Sequence, residues 1–195
     1  LFLKEVVREM TSKAGQKCTA IRRTIVPDSM MDPVIGALKT RLASVKIGDP
    51  AIDGVKMGPL AGTQQVSEVG TSLTALKGGA EVIFGGDGVE PVGVARGRGA
   101  FFPITLLACD RPHDRLQPHE VEAFGPVNTV MPYASVSDAI ELARLVAATL
   151  AALCAARGQP APGGEVLLAG PLGQVGAHLA DQAQHFDGVR LCDAF

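Results

Sequence analysis

The chain opens on an amphipathic stripe. Leu3, Val6, Val7 and Met10 fall at i, i+3, i+4 and i+7, which predicts a helix over 1–13 that Gly15 stops. A β-branched run at 21–26 reads as a strand that Pro27 breaks. Ser29 or Asp32 then caps a helix reaching Val45, with Val34, Leu38, Leu42 and Val45 on one face. Residues 48–59 are rich in Gly, Pro and Asp and read as a loop. A helix over 63–77 stops at Gly78-Gly79, and a short strand follows at 81–84. Residues 87–99 carry turn chemistry with no hydrophobic period. Residues 101–107 read as a strand or extended edge, because Pro103 has no N–H for a ladder. The stretch 109–120 is irregular, 123–126 is a turn and 127–133 a strand. Ser135 or Ser137 opens an Ala/Leu-rich helix to about Arg157. A Gly/Pro linker at 158–164, a strand at 165–169, a helix at 173–185 and a strand at 189–192 complete the chain. Strands alternating with helices predict an α/β domain whose mainly parallel sheet is flanked by helices.

Composition narrows the function classes. A chain of 195 residues can bury one sizeable core. Its 18 basic and 20 acidic side chains nearly balance and form no block, which argues against nucleic acid as a partner. Cys18, Cys109, Cys154 and Cys192 are too far apart in sequence for a zinc pattern, and a chain of this size needs no disulfide framework, so a reducing cytoplasm is the expected setting. No apolar run is long enough to span a bilayer, so no membrane partner is expected. Charges follow the first three residues at once, unlike a signal peptide, and the missing initiator Met suggests a chain cut from something longer. His113, His119, His178 and His185 have no ligand spacing, and no metal is expected. Gly170 to Gly176 superficially resembles a phosphate loop, but its spacing suits a helix cap.

The sharpest candidate is Cys18, in Gly15-Gln16-Lys17-Cys18-Thr19-Ala20, where the first helix gives way to the first strand. A thiol acts as a nucleophile only as thiolate, and Lys17 and local backbone N–H groups are the neighbouring features that favour that form. On composition alone a buried, inert cysteine is the commoner reading.

The succession of motifs says more than any one of them. The Cys18 segment is followed by a strand ending at Val26-Pro27, then by Gly58-Pro59-Leu60, and then by Gly78-Gly79-Ala80-Glu81-Val82 with Gly85-Gly86. Phe102-Pro103-Ile104-Thr105 and Glu122-Ala123-Phe124-Gly125-Pro126-Val127 come next. In this order the motifs resemble the aldehyde dehydrogenase superfamily from Leu1 to about Leu145. The wording around Cys18, and His119-Glu120-Val121-Glu122-Ala123-Phe124-Gly125-Pro126, looks most like the branch of bacterial aromatic degradation. Members of that branch oxidise CoA-linked semialdehydes in phenylacetate or benzoate breakdown.

The resemblance implies covalent catalysis with NAD or NADP. Cys18 matches the nucleophile, which forms a thiohemiacetal and then a thioester, and its backbone N–H matches an oxyanion donor. Glu122 matches the carboxylate on the nicotinamide ribose, Phe124 the aromatic residue at the nicotinamide end, and Gln65 a position facing the cofactor. The implied substrate is a small aldehyde, and the implied assembly of the full-length protein a homo-oligomer.

Some of the family pattern is missing. The general-base glutamate and the oxyanion asparagine lie upstream of the family's cysteine, whereas only 17 residues precede Cys18. No GxGxxG follows a strand. The expectation is therefore a partial catalytic domain over 1–195, without the N-terminal NAD(P)-binding domain and inactive in isolation. Two alternatives are a non-catalytic domain retained for assembly, with Cys18 inert, and a thiol acyl carrier or transferase unrelated to nicotinamide. Beyond Leu145 the likeness fades.

Overall fold

The computed structural model describes residues 1–18, 20–95 and 97–145, and the backbone of two further strands, Val166–Ala169 and Val189–Cys192. Among the described residues, α1 is Phe2–Thr11 and a 3-10 turn follows at Ser12–Gly15. Then come β1 (Arg23–Pro27), α2 (Met31–Ala43), β2 (Lys46–Ile47), β3 (Val55–Met57), α3 (Thr63–Leu76), β4 (Glu81–Phe84) and β5 (Thr105–Ala108). A single helical turn, α4, is Gln117–Glu120, and β6 is Val127–Tyr133. Residues 136–145 are helical (α5), and the last two strands are β7 and β8. Beyond 145, the expected continuation of α5, the linker at 158–164, the cap at 170–176 and the helix at 173–185 lie outside the described residues.

Six strands form one sheet in the order β4-β5-β6-β1-β7-β8, and a second, two-stranded sheet joins β2 to β3. In the large sheet β4 runs antiparallel to β5 and every other pairing is parallel. This is the expected α/β class. Helices cover both faces of the sheet, because successive side chains on a strand point to opposite sides. On β1, Val26 joins the core that holds α1, α2 and α3 through Phe2, Val6, Met10, Val34, Leu38, Leu42, Val69 and Leu73. Its neighbour Ile25 joins the opposite core, with Met131, Ala139 and Leu142. Both are fully buried, and each such side chain contributes about 1.5–3 kcal/mol relative to exposure.

Several expected boundaries move, each for a local reason. The first helix ends at Thr11, not 13, because Lys13 and Ala14 both take φ 52° and Gly15 follows at 72°. Left-handed backbone costs non-glycine residues roughly 1–2 kcal/mol each, so tertiary contacts impose this junction. Helix α2 begins without a side-chain cap, because the 3-10 turn Asp28–Met30 leads straight into it. It stops at Ala43, which leaves Val45 outside. The expected loop at 48–59 contains β3, and β2 and β3 are too short to show a period. The expected strand at 101–107 narrows to Thr105–Ala108, because the ladder starts only past Pro103, where the Thr105 N–H donates to the Pro126 carbonyl at 2.9 Å. The irregular stretch 109–120 contains α4. At the start of α5, Ser135 is the cap. Its Oγ accepts from the Asp138 N–H at 3.2 Å, while Asp138 Oδ2 accepts from the Ala134 N–H at 2.7 Å, one residue before the cap.

Topology positions the site. Strands β1, β5 and β6 are parallel neighbours, so the segments that lead into them meet at the amino ends of their strands. Those segments are 16–22, 101–104 and 121–126, and they hold three of the motifs singled out in the sequence. In most open α/β sheets ligands gather at the opposite, carboxyl ends.

Candidate active site

The Cys18 segment is held by its neighbours on three sides. Gly15 packs on Gly125 so closely that an ideal Cβ at Gly15 would lie 2.2 Å from the Gly125 carbonyl oxygen. The Gln16 side-chain oxygen accepts the Ala61 N–H at 2.8 Å, which brings the Gly58-Pro59-Leu60 loop alongside. At the far end, buried Asn128 on β6 donates its Nδ2 to the Ile21 carbonyl at 3.0 Å. The Cys18 thiol between these anchors is exposed, whereas Cys109 is fully buried. Burial pushes the Cys109 thiol pKa up, the ordinary behaviour of a structural cysteine.

Lys17 does not turn its charge toward the thiol. Its Nζ pairs with Glu9 Oε2 at 2.6 Å, and Arg8 approaches the other carboxylate oxygen at 3.3 Å. Glu9 is 1% exposed and sits on the apolar face of α1 beside Phe2, Val6 and Met10. A buried carboxylate needs such partners. A charge on an otherwise apolar stripe was the signal in the sequence for this pair. Of the two features expected to favour a thiolate at Cys18, only backbone N–H groups remain.

Arg22 links the two segments. Its Nε meets Glu122 Oε1 at 3.3 Å, Nη1 donates to the Gly125 carbonyl at 3.0 Å, and Nη2 donates to the Lys17 carbonyl at 3.2 Å. The guanidinium also lies over the Phe124 ring, 5.3 Å from its centroid, within cation–π range. Burial lowers the Arg22 pKa, and Glu122 and Glu9 oppose that shift. Sequence reasoning missed Arg22; its only local signal is a charge placed where a β-branched strand begins.

Cys18, Glu122 and Phe124 are thus brought to one region by one side chain. The Glu122 carboxylate remains 59% exposed and Phe124 is 42% exposed. An open hydrogen-bond acceptor beside an open aromatic face is chemically suited to a ribose hydroxyl and a flat heteroaromatic ring. Gln65 is on the first turn of α3 and is half-buried.

Behind the site lies a buried basic pair. Arg23 Nη1 meets His119 Nδ1 at 2.6 Å and the Leu142 carbonyl at 3.0 Å, and His119 Nε2 meets the Pro112 carbonyl at 2.7 Å. Nδ1 accepts from the guanidinium and Nε2–H donates to the carbonyl, so the geometry is that of a neutral imidazole. Burial pulls His119 down to about 4, with Arg23 and His113 adding to the shift and the Pro112 carbonyl opposing it. Burial also lowers Arg23 to about 9.

A depressed histidine pKa makes the fold acid-sensitive. Between pH 6.5 and about 4 the unfolded chain takes up a proton that the folded chain refuses, so stability falls as pH drops through that window and levels off below it. At about 1.4 kcal/mol per unit, the loss is on the order of 3 kcal/mol. His119→Gln retains an acceptor and a donor without titrating. Urea unfolding at pH 7 and pH 4.5 should show a clearly smaller acid loss in the variant, and equal losses would remove His119 as the cause.

Where His113 meets α5, ligand atoms of His113, Asp138 and Glu141 lie within 4.8 Å of one another, a cluster that sequence spacing did not reveal. His113 hydrogen-bonds Asp138. Burial pushes the Asp138 carboxyl up, but the Ala134 N–H and His113 outweigh it and hold the pKa below the usual value. That carboxylate already accepts the Ala134 N–H just before the helix.

An exposed cysteine before the central strand of a parallel sheet, tied to a Glu-x-Phe turn on the adjacent strand, defines a class of cysteine-bearing α/β domain. The sequence profile described as "Aldehyde dehydrogenase family" matches residues 1–158, and the chain belongs to that family. It is 42% identical over 169 residues to the 3,4-dehydroadipyl-CoA semialdehyde dehydrogenase of Aromatoleum evansii, an alignment covering 84% of this chain and 33% of that protein. Its fold is similar to HpcC from Thermus thermophilus, with TM-score 0.74 at 20% identity over 97% of this chain and 34% of that one. It is also similar to a betaine aldehyde dehydrogenase point mutant from Staphylococcus aureus in complex with NAD+, with TM-score 0.72 at 23% identity over 97% and 35%. The chain spans about a third of the length of the relatives it matches. Among the described residues, no helix is long and apolar enough to cross a membrane.

Proposed function

We propose that this chain is the cysteine-bearing catalytic domain of an NAD(P)-dependent aldehyde dehydrogenase, a cytoplasmic homo-oligomer that oxidises a CoA-linked semialdehyde to the acid. The observation that carries the reading is the exposed Cys18 thiol, on a segment that Arg22 ties to the turn presenting Glu122 and Phe124. Support for the substrate class comes from the name of the relative from Aromatoleum evansii, and for the cofactor from family membership.

The chemistry starts at sulfur. The Cys18 thiolate adds to the aldehyde carbon, and the carbonyl electron pair moves onto oxygen, giving a thiohemiacetal anion. The Cys18 N–H would donate to that anion. The Glu122 carboxylate would accept from the ribose hydroxyls, and the Phe124 ring would pack against the nicotinamide. The chemistry supplied by bound nicotinamide is hydride acceptance, which makes the adduct a thioester open to hydrolysis. The 195-residue chain is expected to form the covalent adduct but to show little NAD+ reduction.

Alkylation of the folded chain with iodoacetamide, with the modified sites mapped by mass spectrometry, tests the reading. Cys18 is expected to be labelled well before Cys109. If both react only on unfolding, the catalytic reading fails and a domain serving assembly takes its place.

A further inference from the structure

We propose that Arg22 is a positioning residue for carbonyl chemistry at Cys18: its grip on the Lys17 carbonyl aims and strengthens the Cys18 backbone N–H as a donor to the developing oxygen anion. This rests on the reading of Cys18 as a carbonyl nucleophile and adds the device that prepares its anion site.

The argument starts from one peptide group. The Lys17 carbonyl accepts two hydrogen bonds, from Arg22 Nη2 at 3.2 Å and from the Ala20 N–H at 3.1 Å. The other end of the same peptide is the Cys18 N–H, which donates to none of the described residues. Carbonyl and N–H share one resonance system. Electron density drawn toward a doubly bonded carbonyl oxygen leaves the N–H more positive, and one of these two donors is charged. A polarised N–H with no acceptor among the described residues, on the residue that carries the exposed thiol, is preorganised for an anion formed at that sulfur.

Arg22 has little freedom to act otherwise. Glu122 and the Gly125 carbonyl hold its other nitrogens, the Phe124 ring lies beneath it, and its side chain is only 15% exposed. Water therefore screens its charge weakly. The fork geometry matters as much as the charge, since one planar group spans both segments and lysine cannot reproduce three such bonds.

Two reactions of the same thiol separate this role from a structural one. Iodoacetamide alkylates sulfur by displacing iodide, and no carbonyl anion forms. p-Nitrophenyl acetate is attacked at its carbonyl. The S–C bond forms, the carbonyl pair moves to oxygen and returns, and p-nitrophenolate leaves with the bonding pair, so acetyl remains on sulfur. The experiment measures both rates at Cys18 in the full 195-residue chain, with mass spectrometric mapping, for wild type, Arg22→Met and Arg22→Lys.

The ratio of acylation to alkylation is expected to fall about tenfold in Arg22→Met, less than the hundredfold or more typical of deleting such a donor outright. Arg22→Lys, which keeps the charge and is the safer variant for folding, is expected to fall between. An unchanged ratio overturns the proposal, whether the two rates drop together or neither moves. A wild-type Cys18 that alkylates but never acquires acetyl refutes the carbonyl-nucleophile reading itself, and the role of Arg22 falls with it.

Discussion

Cys18→Ser is expected to lower acetyl transfer from p-nitrophenyl acetate to residue 18 roughly a thousandfold or more, corresponding to about 4 kcal/mol of transition-state stabilisation. Serine keeps the size and the exposed position of the side chain, so unfolding midpoints should hardly move. The loss comes from the atom. A hydroxyl is a weak nucleophile without an adjacent base, whereas a thiol supplies some thiolate near neutral pH. Among the described residues Lys17 and Glu9 are committed to each other, and Arg22 is bonded to Glu122 and two carbonyls. Neither cation is available to rescue an alkoxide. If the serine variant acylates at a comparable rate, the nucleophile lies elsewhere, and mass mapping will show where.

Gly15→Ala is the substitution expected to damage the fold most. Gly15 sits at φ 72°, directly after two non-glycine residues already in left-handed backbone. A methyl group there would lie 2.2 Å from the Gly125 oxygen and 2.6 Å from its carbon, and backbone atoms do not rotate away as a side chain does. The left-handed penalty is about 1 kcal/mol or more, and forced separation of packed segments adds roughly 1–3 kcal/mol. A loss of about 3 kcal/mol in urea unfolding is expected. The same separation would pull Arg22 away from Glu122 and the Gly125 carbonyl, so acylation of Cys18 should fall as well. A change below about 1 kcal/mol would mean that the approach of Gly15 to Gly125 is not held rigidly.

Much of the fold is legible in the chain. Strands β4, β6 and β8 fall at their expected bounds, α2 carries its buried Val34, Leu38 and Leu42 on the predicted stripe, and α3 ends within one residue of its expected limit. Long periodic segments and β-branched runs encode themselves locally. Lys13 and Ala14 do not. Nothing in their side chains asks for left-handed backbone, and the packing of Gly15 on Gly125 accounts for the turn. Strands β2 and β3, two and three residues long, exist only because they pair with each other. For the candidate site, Cys18, Glu122 and Phe124 could be named from motif order, but Arg22, Glu9 and His119 act through partners that no local pattern reveals.

Local sequence encodes the order of the longer elements, the α/β class, the family and the residues worth testing. Each of these rests on local periodicity or on short motifs in sequence order. Tertiary structure decided which residues meet. Arg22 and Glu122 are 100 positions apart, and no period connects them. They touch because β1 and β6 pair in parallel with Arg23 opposite Thr129, which carries the segments leading into both strands to the same end of the sheet. That register also placed the arginine fork between the Cys18 segment and the Glu122 turn, while the fold of α1 placed the charge of Lys17 on Glu9 instead of the thiol.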